Sequence, residues 1–270
     1  MKSFEPKIAI VIVLIIGLLQ FSACSSSEVN DSQSSSTQGP PVQSDETENL
    51  SIHEETPEVY IDILPELEPV LPVTLTDAVG NTVTITSVER IIPLDGSVAE
   101  VVFALNLGAN VVATDRSATW PPEASELPQI GYQRSLLAEP IAGFTPTVLI
   151  GTEIAGPEKT LDDLRRLGYP VVIVPSEATM QGPAEKIRAV AEALGVPNRG
   201  EELATQMEKT IVSNTQVFEE DMRPVVAALY IRGTGTQLVL GRNSATHWLI
   251  NAAGGKNVAD ILDICLLYTS

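Results

Sequence analysis

From residue 90 onward, short apolar runs alternate with segments whose apolar residues recur at helical spacing, and this rhythm restricts the chain to few architectures. The apolar runs, each long enough for one strand, lie at 90–94, 110–114, 147–151 and 170–174. Helical segments between them lie at 97–106, after residue 134 and at 157–167. Strands that alternate with helices predict an α/β fold, whose mostly parallel sheet is covered on both faces.

A β-hairpin is predicted immediately before this region. Polar and apolar residues alternate at 73–77 and again at 82–85, which is the pattern of strands with one buried face. The pair Gly80-Asn81 between the two runs is typical of a tight turn. The hairpin therefore opens the folded part of the chain.

A long helix is predicted at about 199–218, because Leu203, Met207 and Ile211 recur at helical spacing among strongly polar residues. A shorter helix at 183–194 precedes it. The segments that follow read as two strands and a helix, at 225–231, 236–240 and 245–253. We therefore expect a second α/β region, of which only the opening is present.

The first 70 residues have the features of an exported and anchored protein. An unbroken apolar run at 8–19 follows basic residues, which is typical of a signal peptide, and Cys24 lies in a segment that resembles the cleavage box of bacterial lipoproteins. We expect Cys24 to carry a lipid anchor; a cleaved secretory signal or an uncleaved anchor are the alternatives. Residues 25–69 are rich in Ser, Pro and acidic residues and contain no Lys or Arg, which predicts a disordered tether.

Charge and missing motifs exclude several classes of function. The formal net charge is −19, much of it in the tether, which argues against nucleic acid as a partner. The sequence contains no Gly-x-Ser-x-Gly, His-Glu-x-x-His or Cys-x-x-Cys motif, and residues 233–235 lack the spacing of a dinucleotide fingerprint. We therefore expect no enzyme, whereas a purely structural surface lipoprotein stays an alternative.

Residues 131–139, Gly-Tyr-Gln-Arg-Ser-Leu-Leu-Ala-Glu, give the strongest indication of function. Tyr132 offers a phenol, a hard oxygen ligand that suits ferric iron and that some haem proteins use as axial ligand. Because a free phenol has a pKa of about 10, coordination at neutral pH needs the metal and preferably a nearby cation, which Arg134 could supply. An isolated Gly-Tyr pair is more often a surface turn, so the surrounding sequence decides.

This motif, followed by Phe-Thr-Pro-Thr-Val-Leu-Ile-Gly at 144–151, resembles the haem-binding proteins of bacterial haem ABC importers, and the resemblance extends over about 73–258. Those proteins carry a Gly-Tyr-x-Arg-x-Leu-x-Ala-Glu run ahead of a Pro-Thr-x-x-Ile strand. The resemblance implies two α/β lobes joined by a long spine helix, with ferric haem bound between them and Tyr132 as the iron ligand. It also implies delivery of haem to an ABC permease without catalysis.

The resemblance also gives roles to further residues. Arg134 would lower the phenol pKa or pair with a haem propionate, and Glu139 would dock onto permease arginines, unless it is simply a carboxylate favoured at a helix N-terminus. Residues expected to contact the ligand otherwise are Ile154, Ala155, Gly156 and, through a propionate, Arg242.

Three questions stay open at this point. His247 is the candidate for a second axial ligand, with an ordinary place on a helix surface as the default. Trp120 either flanks the cleft or caps a turn. Carriers of ferric siderophore or cobalamin share the fold, and in such a carrier Tyr132 would be only a wall residue.

The resulting division of the chain has six parts. They are a lipoprotein signal peptide at 1–23, a tether at 24–70, an N-terminal α/β lobe at 71–195, a spine helix at 196–222, the start of a C-terminal α/β lobe at 223–262 and a tail at 263–270. The tail, which contains Cys265, departs from the family pattern and resembles translated adaptor sequence. We therefore expect a truncated second lobe with an exposed apolar surface, weak ligand retention, and a location on the outer face of the cytoplasmic membrane.

Overall fold

The structure, a computed structural model, describes residues 68–232 and 236–263 together with the backbone of 268 and 269. The predicted signal peptide, Cys24, most of the predicted tether and Cys265 lie outside these residues. Among the residues described, no helix combines the length and hydropathy that crossing a bilayer requires.

The predicted hairpin is confirmed. Strand β1 (Val73–Thr76) pairs antiparallel with β2 (Thr82–Ile85). The connection between them is closed by Asp77, whose carboxylate accepts the backbone N–H of Asn81 at 2.7 Å. Gly80 has a φ of +88°, a conformation that a residue with a side chain rarely adopts, which explains the glycine in this turn.

A three-stranded parallel sheet forms the centre of the first lobe, the name used here for residues 71–195. Its strands, β3 (Ile91–Pro93), β4 (Val148–Gly151) and β5 (Val171–Ile173), are arranged in the order β3-β4-β5. Both neighbouring pairs are parallel. Three of the four predicted strands are therefore confirmed, with slightly shorter bounds.

The fourth predicted strand, at 110–114, is wrong as a strand. Val111 makes only an isolated bridge to Ile91, and Thr114 makes another to Gln129. Beyond Val111 the backbone leaves the sheet and exchanges hydrogen bonds with another segment: Thr114 accepts the N–H of Ile130 at 2.9 Å. The run thus connects the sheet with the segment that leads into the Tyr132 motif.

The described residues form eight α-helices, and four of them cover the first lobe's sheet. The helices are α1 (Gly96–Ala104), α2 (Pro122–Glu126), α3 (Ala138–Gly143), α4 (Glu158–Arg166), α5 (Gly182–Ala193), α6 (Pro197–Asn214), α7 (Ala245–Ala252) and α8 (Val258–Ile261). Ile91 and Ile150 face a core shared with α1 and α5, whereas Ile92 and Leu149 face a second core shared with α3 and α4. Because successive strand residues point to opposite faces, the alternation confirms a sheet covered on both sides.

The long helix α6 packs against α5 and ends at Asn214, four residues before the predicted end. Small polar residues explain the early end, since their side chains bond to carbonyls of the last turns: Thr210 donates to Gln206, and Thr215 donates to Ile211 at 2.8 Å. The two helices approach closely at Gly200, where a Cβ atom would overlap the methyl group of Ala191.

The region after α6 begins a second α/β lobe, with one predicted strand divided in two. Its strands are β6 (Val225–Val226), β7 (Leu229–Arg232), β8 (Thr236–Val239), β9 (Lys256–Asn257) and β10 (Tyr268–Thr269). Strand β6 pairs parallel with β9, whereas β7 pairs antiparallel with β8, which also pairs with β10. Leu229, Tyr230 and Ile231 are all exposed, which matches the expected apolar surface on this lobe.

Candidate functional site

The Tyr132 motif forms a loop at the edge of the sheet where the strands end. Residues 131–137 lie outside regular structure, directly before α3. The loop 152–157, which follows β4, is bound to this motif loop by two backbone hydrogen bonds: Gly156 donates to Gln133 and Leu136 donates to Gly156, both at 2.8 Å. The two segments predicted to contact the ligand are therefore adjacent, at the edge where α/β folds bind their ligands.

The backbone on both sides of Tyr132 is fixed by hydrogen bonds. The carbonyl of Gly131 accepts the N–H of Arg116 at 2.7 Å, and the carbonyl of Gln133 accepts the N–H of Gly156 at 2.8 Å. Tyr132 itself accepts the N–H of Ser135 at 2.8 Å. Gly131 has a φ of +109°, a conformation in which a side chain is strained, so the motif glycine sets the direction of the loop.

The side chain of Tyr132, in contrast, makes no hydrogen bond within the described part of the chain. The residue is 43% exposed, and its hydroxyl has no hydrogen-bond partner among the residues described. Most tyrosines in a folded protein are held by packing or by a bond to their hydroxyl group. The fixed backbone therefore presents a phenol whose oxygen is available for a further bond.

The other predicted contacts divide into exposed and buried groups. Arg134 and Ile154 are exposed, and so is Trp120, and Arg134 makes no ion pair or hydrogen bond with the residues described. Ala155, by contrast, packs into the core with Ile92 and Leu149, and Gly156 is buried. Ala155 and Gly156 therefore hold the loop in place, whereas Ile154 supplies exposed apolar surface; contact of the three with a ligand stays a prediction.

Two buried carboxylates beneath the loops were missed by sequence reasoning. Asp95, 1% exposed, caps α1 by accepting the N–H of Val98 and also accepts the N–H and hydroxyl of Thr152, which follows β4. Asp115 accepts the N–H and hydroxyl of Ser117 at 2.9 and 2.8 Å. The position of Asp95 between a strand and a helix is an N-cap signal that could have found it, whereas nothing local distinguishes Asp115.

These carboxylates belong to a continuous series of contacts that leads to the Tyr132 loop. The hydroxyl of Ser117 accepts the N–H of Gly96, the first residue of α1, at 2.9 Å. The contacts thus run from Thr152 through Asp95 and α1 to Ser117 and Asp115, and the next residue, Arg116, bonds through its backbone N–H to the motif loop. Burial raises the pKa of the Asp115 carboxyl, while its bonds to Ser117 act in the opposite direction. Strand ends, helix start and motif loop are therefore positioned as one unit.

The remaining predicted residues lie elsewhere. Arg242 follows β8 and pairs with Asp263. Both ring nitrogens of His247 lie near amide nitrogens, of Asn251 at 3.0 Å and of Asn257 at 3.3 Å, an arrangement that does not favour axial ligation. Glu139 is exposed in the first turn of α3, a position that suits both permease docking and a carboxylate favoured at a helix N-terminus.

The described residues contain no cage for a bare metal ion, since no three His, Cys, Asp or Glu side chains converge. A cavity of about 410 Å³ lies away from the motif, ahead of β3, where Glu89, Asn106 and Arg199 are among its lining residues. The candidate site therefore offers one oxygen ligand beside exposed apolar and cationic side chains. That set suits a metal already held by a macrocycle better than a free ion.

A family model described as periplasmic binding protein matches residues 91–263. The chain belongs to the periplasmic binding protein family. Members of this family bind substrates outside the cytoplasm, so membership implies an extracytoplasmic location.

Solved structures similar to this family member include haem-binding proteins. The apo form of the periplasmic haem-binding protein RhuT from Roseiflexus sp. RS-1 is 44% identical, with a TM-score of 0.64; the match covers 67% of this chain and 70% of that one. The haem-binding protein HmuT is 30% identical, with a TM-score of 0.65 and coverage of 77% and 71%.

Curated relatives of this family member carry a different ligand in their names. The vitamin B12-binding protein of Vibrio parahaemolyticus is 24% identical over 181 residues, which cover 63% of this chain and 61% of that protein. The chain therefore spans about three fifths of the length of the curated relatives it matches.

Proposed function

We propose that this protein is a receptor that captures ferric haem outside the cytoplasmic membrane and delivers it to an ABC importer. One observation carries the proposal: the hydroxyl of Tyr132 has no partner among the residues described, although the backbone on both sides is fixed. A phenolate is a hard anionic ligand that suits ferric iron. The 44% identity to a periplasmic haem-binding protein supports the same cargo.

The neighbours of Tyr132 fit a porphyrin in the proposed complex. Ile154 offers an apolar contact to the macrocycle, and Arg134 supplies a guanidinium for a propionate or for the phenolate. Arg242 is the proposed propionate contact from the second lobe. The receptor would bind and release its cargo without catalysing a reaction.

We further propose how the receptor reaches its transporter. Cys24 would carry the lipid that keeps the protein at the membrane, and the acidic segment after it would act as the tether. Glu139, exposed at the start of α3, would dock onto arginines of the permease. Electrostatic docking of this kind gives specificity and fast association without a large interface.

Cobalamin is the second candidate cargo, because curated relatives of the chain are named vitamin B12-binding proteins. In a cobalamin carrier, Tyr132 would contact the ligand only as a wall, and its hydroxyl would not meet the metal. A ferric siderophore carrier would make the same prediction for Tyr132.

The two candidates are distinguished by titrating the purified protein with ferric haem, cyanocobalamin and a ferric hydroxamate siderophore. We expect saturable binding of haem, with a shifted absorption band, and no saturable binding of the other two. Binding of cobalamin, with none of haem, would replace our proposal by the second candidate, and binding of the siderophore alone would make the protein a siderophore carrier. Failure of all three would leave only the family role.

A further inference from the structure

A second arginine, Arg116, lies on the segment that is hydrogen-bonded to the motif loop. Arg116 donates its backbone N–H to the carbonyl of Gly131, the residue directly before Tyr132. Its side chain is exposed, whereas Thr114 and Asp115 before it are buried. Arg134 lies two residues after Tyr132, so one arginine lies on the motif loop and the other on the segment bonded to it.

These two arginines differ from all other cations of the first lobe, every residue of which the structure describes. Six of its eight Lys and Arg side chains donate to a carboxylate, hydroxyl or carbonyl oxygen: Arg90, Lys159, Arg165, Arg166, Lys186 and Arg188. Arg116 and Arg134 are the two that have no such partner within the described residues. The nearest carboxylate in sequence, that of Asp115, is buried and already accepts two hydrogen bonds from Ser117.

An exposed cation is often simply solvated, but two unpaired guanidinium groups on two segments joined by a hydrogen bond, in a chain of net charge −19, favour an anionic ligand. Guanidinium groups bind carboxylates through paired N–H donors. Haem carries two propionates that are ionised at neutral pH, whereas the side chains of cobalamin are uncharged carboxamides.

We propose that Arg116 is a carboxylate-binding residue of the ligand site, and that Arg116 and Arg134 together select a ligand with two carboxylates. This inference rests on the proposed function, since it places the ligand against Tyr132. The two propionates would then distinguish a haem-type cargo from a corrinoid, and Arg116 would bind one of them.

The test compares ferric haem with its dimethyl ester, in which both propionates are neutral, on the 270-residue chain. We expect Arg116→Gln to weaken binding of ferric haem by about tenfold, the size of one charge-assisted hydrogen bond, and to leave affinity for the ester unchanged. Arg116→Lys, which keeps the charge without the paired donors, is expected to fall between. The matched control is Lys209→Gln, because Lys209 is also exposed and unpaired within the described residues but lies on α6.

Three results are decisive. Wild-type affinity of Arg116→Gln for ferric haem would overturn the inference while leaving the role of Tyr132 intact. An equal loss for haem and for the ester, or an equal loss in Lys209→Gln, would also overturn it, because the effect would then not depend on the propionates. If the wild-type protein binds neither porphyrin, the proposed function fails first. Thermal melting of each variant separates these results from misfolding.

Discussion

Replacing Asp95 by alanine is expected to destabilise the first lobe strongly, because this carboxylate joins the start of α1 to the end of β4. It accepts the N–H of Val98 at 3.1 Å and the hydroxyl of Ser97 at 2.7 Å at the start of α1. It also accepts the N–H and hydroxyl of Thr152 at 2.8 and 3.0 Å at the end of β4. Asp95 and Thr152 are both 1% exposed, so water cannot replace the lost acceptor without rearrangement.

The magnitude follows from the groups left without a partner. Loss of a helix cap costs about 1 kcal/mol. A buried donor left unsatisfied costs roughly 1–3 kcal/mol, and the N–H and hydroxyl of Thr152 share one acceptor atom, so they count about once. The expected loss is therefore about 3 kcal/mol, which for a folded region of this size lowers the melting temperature by roughly 6–12 °C.

The assay is thermal and urea unfolding of the wild type, Asp95→Ala and Asp95→Asn, with Asp162→Ala as control. Asp162 is an exposed carboxylate paired with Arg165 on α4, and losing such a pair costs less than about 1 kcal/mol. Asparagine keeps one oxygen, so Asp95→Asn should lie between the wild type and Asp95→Ala. A loss below about 1 kcal/mol for Asp95→Ala, or a loss equal to that of Asp162→Ala, would refute the reasoning.

Two further predictions concern stability. Because burial raises the pKa of Asp115, the folded protein holds that proton more tightly than the unfolded chain; the stabilisation is complete below the ordinary pKa of 3.8 and is lost as the pH rises through the raised value. In urea unfolding between acid and neutral pH, Asp115→Asn is expected not to show this loss of stability. If the free energy of unfolding varied with pH in the same way for the wild type and Asp115→Asn, the prediction would be contradicted. Gly200→Ala is expected to cost about 1–3 kcal/mol of stability, because its methyl group would overlap Ala191, and this cost exceeds the gain in helix propensity. Adding Ala191→Gly should restore stability in the double variant. A stabilised Gly200→Ala protein would instead show that the two helices move apart to make room.

The parts of the fold that were predicted correctly are those whose pattern is local. The hairpin and the strands at the sheet centre follow from alternation and from short apolar runs, which record burial directly. The run at 110–114 reads as another strand, but only Val111 and Val112 bond to the sheet, and Thr114 instead bonds to residues 128 and 130; no local pattern encodes that choice. For the same reason the run at 225–231 could not show that its two halves pair with different strands.

The candidate site, too, was predicted correctly only where the sequence pattern is local. The motif placed Tyr132 and Arg134 at the start of a helix, and the structure has both in the loop before α3. The sequence could not show which side of the loop 152–157 faces the core, so it named the buried Ala155 and the exposed Ile154 alike as expected ligand contacts. The hydrogen bond between the backbones of Arg116 and Gly131 joins residues 15 positions apart in the chain, and only the folded backbone reveals it. The unpaired state of Arg116 is likewise a property of the whole lobe.

The most direct test of the central claim is the absorption spectrum of the ferric haem complex in Tyr132→Phe, compared with wild type and with Tyr230→Phe. Tyr230 is the matched control, since it is 47% exposed against 43% for Tyr132 and lies on β7 of the second lobe. We predict that Tyr132→Phe loses the phenolate-to-iron charge-transfer band and that Tyr230→Phe keeps it. A Tyr132→Phe complex with the wild-type spectrum and affinity would contradict the account.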